Sequence, residues 1–177
     1  MISSPEKNVS EFGFMPGQKV ADFGSGAGHY VFVLSKVLGP TGRVYAVDLN
    51  EDLLVRLVKE ADSMSADNVR VIEGDVETVR GTELKDEILD GVLFSNMLSS
   101  LSSIDAALTE AVRILKKGGR VCVVDWKDSG LFEAEQSKTK RKMVTESDAR
   151  NLLAKAGLMF VKSFDTGDHH YGLIFKK

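Results

Sequence analysis

Short apolar segments alternate with longer amphipathic segments along almost the whole chain, and this alternation narrowly limits the possible folds. The apolar segments have the length of buried strands, whereas the amphipathic segments place apolar residues at helical spacing. Such an alternation predicts an α/β fold, a doubly wound, mainly parallel sheet with helices on both faces. The last two apolar segments, 159–164 and 171–175, flank a short connection containing Gly167, which predicts a closing antiparallel hairpin.

The remaining elements follow from the same patterns. The predicted strands are 19–23, 44–47, 69–72, 91–94 and 120–124. The predicted helices are 29–38, 51–64 and 103–115, followed by one that begins after Thr145 and runs to Gly157. We expect the third helix to end at Lys116–Gly119 with a left-handed cap, and Leu53, Leu54, Leu57, Val58 and Ala61 to form one apolar stripe on the second.

The size and charge of the chain exclude some classes of protein. Its 177 residues predict one domain, 1–177, with a short leader at 1–17 and a long loop at 127–143. A net charge of -3 gives no global positive field for nucleic acid or an anionic membrane. The single cysteine, Cys122, lies in an apolar run and is expected in the core. With neither a signal peptide nor a membrane helix in the pattern, we expect a cytoplasmic protein and no membrane partner.

A glycine loop, Gly24–Gly28, joins the first strand to the first long helix. Its glycines allow sharp turns and close approach of a ligand, while backbone N–H groups at the helix start can bind a carboxylate or phosphate. A dinucleotide fingerprint would place its third glycine at position 29, where His29 stands, so NAD-dependent oxidoreduction is a weak alternative. Asp22 would repel a pyrophosphate but suits the ammonium group of an amino acid.

Two further acids follow predicted strands. Asp48 is placed to accept hydrogen bonds from ribose hydroxyls; the alternative is a helix N-cap, for which Asn50 competes. Asp75 is placed to accept from the amino group of adenine, with Val76 and Leu49 against the ring; the alternative is a solvated loop acid. The carboxyl ends of neighbouring parallel strands meet at one edge of a sheet, where ligands bind, so these acids predict one site.

Together these segments resemble class I S-adenosylmethionine-dependent methyltransferases of the small bacterial and archaeal type. The resemblance covers nearly all of Val20–Lys177. It rests on the following motifs: Val20–Gly28, Val44–Asp48, Gly74–Val76, Asp90–Asn96 and Leu115–Arg120.

The resemblance implies a Rossmann-like, seven-stranded sheet with a reversed C-terminal hairpin, with S-adenosylmethionine as cofactor and S-adenosylhomocysteine as product. It also implies residue roles by position. The methionine end falls to Asp22, Gly24, Ser25, Gly26, Gly28, Ser95 and Asn96, the ribose to Asp48, and the adenine to Leu49, Asp75 and Val76. Tyr30 is placed to reach the methionine carboxylate, with packing as the alternative.

Methyl transfer requires a general base only when the acceptor arrives protonated. The candidate catalytic residues are His169 and His170 in the C-terminal hairpin, with Asp125 and His29 as further candidates; the alternative for each histidine is an ordinary surface position. A metal site is rejected, because neighbours on a strand point to opposite faces and no third ligand stands at a recognisable spacing.

The motifs described so far concern the methyl donor, and the sequence does not identify the methyl acceptor. We expect a small molecule, bound in an open site roofed by the leader and the 127–143 loop. The basic run Lys138–Lys142 gives RNA or protein as an alternative acceptor, and a non-catalytic S-adenosylmethionine-binding module is a third possibility. Residues 96–99 lack the Pro-Pro-aromatic sequence of methyltransferases that act on amines of DNA bases. The sequence leaves the methylated atom and the oligomeric state open.

Overall fold

The computed structural model describes residues 4–127 and 143–177. Its strands are β1 Lys19–Phe23, β2 Arg43–Asp48, β3 Val69–Glu73, β4 Leu89–Ser95, β5 Leu115–Trp126, β6 Met159–Asp165 and β7 His170–Lys176. Its helices are α1 Pro5–Phe12, α2 His29–Leu38, α3 Glu51–Ser63, α4 Ile104–Ile114 and α5 Glu146–Lys155, with a short 3-10 turn at Leu98–Ser100. The predicted alternation of strands and helices is confirmed.

The strands form one seven-stranded sheet in the order β3-β2-β1-β4-β5-β7-β6. Strands β1 to β5 pair in parallel, whereas β7 pairs antiparallel with both β5 and β6. The order reverses at β1, so the carboxyl ends of β1 and β4 flank the crevice in which open α/β sheets bind ligands. The predicted mainly parallel sheet with an antiparallel finish is confirmed.

Helices cover both faces of this sheet and bury a separate apolar cluster on each side. On one face, Val9 of α1, Leu34 of α2 and Leu57 of α3 pack with the strands. On the other, α4 and α5 contribute Leu108 and Leu153. Side chains alternate between the two faces along each strand. A residue at the carboxyl end of a strand therefore points either to the face covered by α1, α2 and α3 or to the face covered by α4 and α5.

The N-terminal segment is tied to the domain rather than extended from it. Helix α1 begins at Pro5, where the fixed φ of proline suits a first turn, and Gly13 ends it in the left-handed region with φ +68°. Phe14 then packs over Gly91 of β4, where a Cβ would overlap its ring. Helix α1 and Phe14 thus pack against the sheet and the helix that follows β1.

Two local predictions are wrong. Helix α4 ends at Ile114, and β5 begins directly at Leu115, without a left-handed cap at 116–119. Gly118 does have φ +81°, but its N–H donates to the carbonyl of Lys177 at 2.9 Å, so this stretch pairs with the chain end. On α3, Val58 is 44% exposed, because the buried stripe is narrower than predicted.

Other sequence expectations are confirmed or lie outside the description. Cys122 is fully buried in the core, and Thr145 begins α5 through a reciprocal capping box with Asp148. Most of the predicted long loop, including the basic run Lys138–Lys142, lies outside the described residues. Within the described part, no helix combines the length and apolar character needed to cross a membrane.

Candidate functional site

Four neighbouring strands present side chains to one cavity. In sheet order these strands are β1, β4, β5 and β7, and strand alternation directs one residue of each to the face covered by α1 and α2. The four residues are Asp22, Ser95, Trp126 and His170. They line a cavity of about 490 Å³, whose other walls come from Pro5, the glycine loop, His29, Tyr30 and Asn96.

The glycine loop is held in place by backbone hydrogen bonds. The N–H groups of Gly24 and Ser25 donate to the carbonyl of Val47 at 2.8 and 3.1 Å, which ties the loop to the end of β2. The N–H of Gly26 donates to Oδ2 of Asp48 at 2.8 Å. The loop is therefore fixed by the strand that carries the predicted ribose-binding acid.

The glycines of the loop serve different purposes. Gly26 has φ +53°, and a Cβ there would meet no atom closer than 3.9 Å, so its backbone conformation rather than crowding favours glycine. Gly28 is the N-cap of α2 at φ +83°, and a Cβ there would press on Phe32 at 3.0 Å and Leu57 at 3.1 Å. Gly28 thus serves the packing of α2 and α3 under the loop.

Asp22 is buried beneath the loop, with 2% of its surface exposed. Its Oδ1 and the Oγ of Ser25 have no hydrogen-bond partner among residues 4–127 and 143–177. Burial, reinforced by the negative charge of Asp48, raises the pKa of Asp22 to about 8. An unpaired buried polar group costs about 1–3 kcal/mol, so two of them beside one cavity suit a ligand that offers hydrogen-bond donors or a positive charge.

Asp48 stands at the rim of the site and is partly committed to the loop. Besides Gly26, it accepts from the N–H of Asn50 at 2.9 Å through Oδ1. Each carboxylate oxygen can accept more than one hydrogen bond, so both retain capacity for ligand hydroxyls. Asn50, not Asp48, is the N-cap of α3 and accepts from Leu53 N–H at 3.2 Å. Leu49 is 66% exposed beside them on the rim.

Asp75 follows β3 and makes local bonds. Its carboxylate accepts from the N–H of Glu77 at 2.8 Å and from the hydroxyl of Thr78 at 2.7 Å. Val76 is buried in the core cluster beneath it. The adenine contacts of Asp75 and Val76 stay predictions, while the local bonds show how this loop is shaped.

Trp126 and His170 form a stacked pair at the other end of the cavity. Their rings are 4.2 Å apart between centroids at 33°, because the two residues pair across β5 and β7. The Nε2 of His170 is buried and has no partner in the described part of the chain. Burial, with the nearby His169 and Lys127, holds the pKa of His170 below its ordinary value. Sequence reasoning missed Trp126, because its pairing with His170 depends on the register of β5 with β7, which the sequence alone does not give.

The other candidate bases occupy different positions. His169 precedes β7, and its carbonyl accepts from Lys127 N–H at 2.9 Å; among the described residues it is not part of the cavity lining. Asp125 points to the opposite face of β5, where it accepts from Leu98 N–H at 3.0 Å. His29 lines the cavity as the first residue of α2.

Tyr30 joins the cavity wall to the leader. Its hydroxyl accepts from Nδ2 of Asn8 at 2.7 Å in a buried contact, which holds α1 against α2. Phe12 stacks on the same ring with centroids 6.4 Å apart. The described residues contain no cluster of three potential metal ligands.

The sheet order and the cavity at the carboxyl ends of β1 and β4 define a Rossmann-like α/β protein with a site of the nucleotide-binding type. Residues 15–169 match the family described as "Methyltransferase domain", and the chain belongs to that family.

Curated relatives carry the name ubiquinone/menaquinone biosynthesis C-methyltransferase UbiE. The protein of Shewanella pealeana is 26% identical over 162 residues, which cover 91% of this chain and 61% of the relative. That of Vibrio vulnificus is 32% identical over 115 residues, or 64% of this chain and 43% of the relative. This chain therefore spans less than two thirds of the length of these relatives.

Solved structures show the same fold. A SAM dependent methyltransferase from Aquifex aeolicus is 26% identical and superposes with a TM-score of 0.83, covering 98% of this chain and 89% of that one. A geranyl diphosphate C-methyltransferase from Streptomyces coelicolor A3(2), 13% identical, has a TM-score of 0.80 over 97% of this chain and 78% of its own. The second likeness concerns the fold alone.

Proposed function

We propose that this chain transfers a methyl group from S-adenosylmethionine to a small-molecule acceptor. The observation that carries this proposal is the cavity lined by Asp22 and the glycine loop, which contains unpartnered buried polar atoms and is joined to Asp48 by the hydrogen bond from Gly26 N–H. Membership of the methyltransferase-domain family and the likeness to the Aquifex enzyme support it.

The residues of the cavity fit the parts of S-adenosylmethionine. The buried Oδ1 of Asp22 suits the ammonium group, whose charge would favour the ionised carboxylate. Ser25, Ser95 and Asn96 surround the same end of the cavity. Asp48 would accept from the ribose hydroxyls, with Leu49 beside it on the rim for the adenine.

When bound, S-adenosylmethionine would supply a methyl group on a positively charged sulfur, which is already a good leaving arrangement. The task left to this chain is to hold the acceptor in line with the carbon–sulfur bond, and such positioning can contribute about 7–11 kcal/mol. The fixed glycine loop and the paired rings of Trp126 and His170 form two walls of the cavity in which this positioning would occur.

A small-molecule acceptor agrees with the size and charge of the site. A cavity of about 490 Å³ falls in the range of small-molecule sites, about 300–1,000 Å³. The net charge of -3 offers no global attraction for RNA. The relatives are named for methylation of carbon in quinone biosynthesis, which supports a small molecule rather than a macromolecule as acceptor.

Calorimetric titration with S-adenosylmethionine tests the donor half of the proposal. We expect wild-type protein to bind it and Asp48→Ala to bind about 100-fold more weakly, because two hydrogen bonds to a charged group are lost at about 1.5 kcal/mol each. Asp105→Ala removes an exposed acid on α4 and is the matched control. Absence of binding by the wild type, or equal binding by the Asp48 variant, would contradict the proposal.

Transfer of labelled methyl tests the acceptor half. Purified protein is incubated with methyl-labelled S-adenosylmethionine and either a metabolite extract or total RNA. We expect label in the small-molecule fraction only. Label in RNA or in added protein would overturn the small-molecule assignment, and absence of label everywhere would favour a non-catalytic binding module.

A further inference from the structure

The cavity has two chemically different ends. The acidic end, formed by Asp22 and the glycine loop, suits the cationic amino-acid part of S-adenosylmethionine. The opposite end is aromatic and is formed by Trp126 and His170. If the donor's amino-acid part occupies the acidic end, the aromatic end is the part of the cavity left for an acceptor.

His170 has the features of a residue that contacts a ligand. Its ring is fixed by stacking on Trp126, and its backbone is fixed by pairing across β5 and β7. Its Nε2 is buried at the cavity yet has no partner within residues 4–127 and 143–177. Folding normally gives such an atom a hydrogen bond, so a bound molecule is the natural source of one.

We propose, on the basis of the function proposed above, that the acceptor is a planar molecule with a hydroxyl group, which lies against Trp126 and donates its hydroxyl hydrogen bond to Nε2 of His170. Trp126 lines the cavity, so a flat apolar ring bound there gains favourable contact with the indole. A neutral imidazole nitrogen accepts from a hydroxyl. His169 is excluded from this role by its place outside the lining of the cavity.

The reaction then balances. The hydroxyl proton of the acceptor passes to Nε2 of His170, and the electron pair released on the acceptor forms its bond to the methyl carbon. The carbon–sulfur bond breaks with its electron pair going to sulfur, so the positive charge of the sulfonium is lost. His170 ends positively charged and returns its proton to solvent.

The surroundings of His170 favour the neutral form that can accept this proton. His169 and Lys127 are the positive or ionisable neighbours on its own side, and burial acts in the same direction. Across the cavity it faces Asp22 from β1 and His29 and Tyr30 from α2. Of these titratable residues, only His170 stacks on Trp126. His170 is therefore the residue that an acceptor bound at the aromatic end would contact.

The test combines three proteins, the wild type and two variants, with two probes. Umbelliferone is a planar molecule with a hydroxyl, and coumarin is the same ring system without it. His170→Phe keeps a ring against Trp126 but removes Nε2, and His169→Phe is the matched control. Both probes are titrated by calorimetry into protein saturated with S-adenosylhomocysteine, at a pH where the umbelliferone hydroxyl is protonated.

We expect the wild type and His169→Phe to bind umbelliferone about 3- to 10-fold more tightly than coumarin, the value of one hydrogen bond. In His170→Phe this preference should fall to about one. A purely structural role for His170 would weaken both probes equally and leave the preference unchanged, which would overturn the inference, as would a wild type that binds neither probe.

The binding of S-adenosylhomocysteine is measured first for each protein. Retained binding by His170→Phe shows that the variant is folded. If the wild type does not bind S-adenosylhomocysteine, the proposed function fails; the same six titrations on the free proteins then decide the acceptor assignment separately.

Discussion

Asp22 and Glu110 are two acids buried to the same degree, each 2% exposed, but their surroundings are opposite. Asp22, at the cavity, has an oxygen without a partner among the described residues, and burial raises its pKa to about 8. Glu110, on the inner side of α4, accepts from Thr82 Oγ1 at 2.6 Å and from Arg113 Nη2 at 2.6 Å.

The pKa of Glu110 shows the effect of those partners. Burial alone would raise it, but the bonds from Arg113, Thr82 and the N–H of Arg80 outweigh burial and hold the pKa below its ordinary value. Burial therefore does not define a functional acid. The acid that folding leaves unsatisfied is the candidate for ligand binding, and the fully bonded acid stabilises the fold.

Asp125 lies between these two extremes. It is as buried as Asp22, and its oxygens accept from the N–H groups of Leu98 and Trp126 at 3.0 and 2.8 Å. Burial still raises its pKa, to about 6, which is less than for Asp22. The two backbone donors thus offset part of the cost of burying Asp125. Because one of them is Leu98 N–H, Asp125 holds the 3-10 turn against β5.

Glu110→Ala should produce the largest effect. Removing the carboxylate leaves Arg113, whose side chain is 15% exposed, with only the half-exposed Asp86 as ionic partner and leaves the buried Thr82 hydroxyl without its acceptor; breaking such a buried network costs about 3–5 kcal/mol. The free energy of unfolding, measured by urea denaturation at neutral pH, should fall by this amount. A loss below about 1 kcal/mol would show that the satisfied acid is not stabilising and would remove the contrast with Asp22.

Asp22→Asn should have the opposite effect on stability. Because the folded pKa of Asp22 is raised, its contribution to stability is present below its ordinary value of 3.8 and is lost as pH rises through about 8. Above pH 8 and without ligand, the free energy of unfolding of the variant should therefore be about 1–3 kcal/mol higher than that of the wild type. This difference is the cost of one unsatisfied buried group. Thermal melts between pH 5 and 9 measure this difference.

The same two proteins connect stability to the proposed function. Saturating S-adenosylmethionine should reverse the order of the two melts, since its ammonium group would pair with ionised Asp22 and not with asparagine. The stability difference between the wild type and Asp22→Asn should change between pH 5 and 9. A constant difference would contradict a buried Asp22 carboxylate whose Oδ1 lacks a partner.

Lys155→Met should have the smallest effect and calibrates the others. Lys155 pairs with Asp105 at 2.9 Å, but the two side chains are 70% and 58% exposed. Solvent screens such pairs, so the free energy of unfolding should change by less than about 1 kcal/mol. A change as large as that of Glu110→Ala would mean that ion pairing, rather than burial with full hydrogen bonding, distinguishes the acids.

The sequence by itself determined the order of the elements and the position of the glycine loop. Helical spacing, strand alternation and capping residues are local properties, which is why Asn50 and Thr145 could be named as helix starts. The placement of Asp22 and Asp48 at one edge of the sheet also followed, because parallel strands end on the same side.

Only the tertiary structure decided which residues share a surface and which buried groups are satisfied. The strand at 116–119 depends on pairing with Lys177, and the stacking of Trp126 on His170 depends on the register of β5 with β7. Asp22 and Glu110 look alike in the sequence, because hydrogen-bond partners come from segments distant along the chain. Burial and partner supply are properties of the assembled fold, and here they separate a ligand site from a structural ion pair.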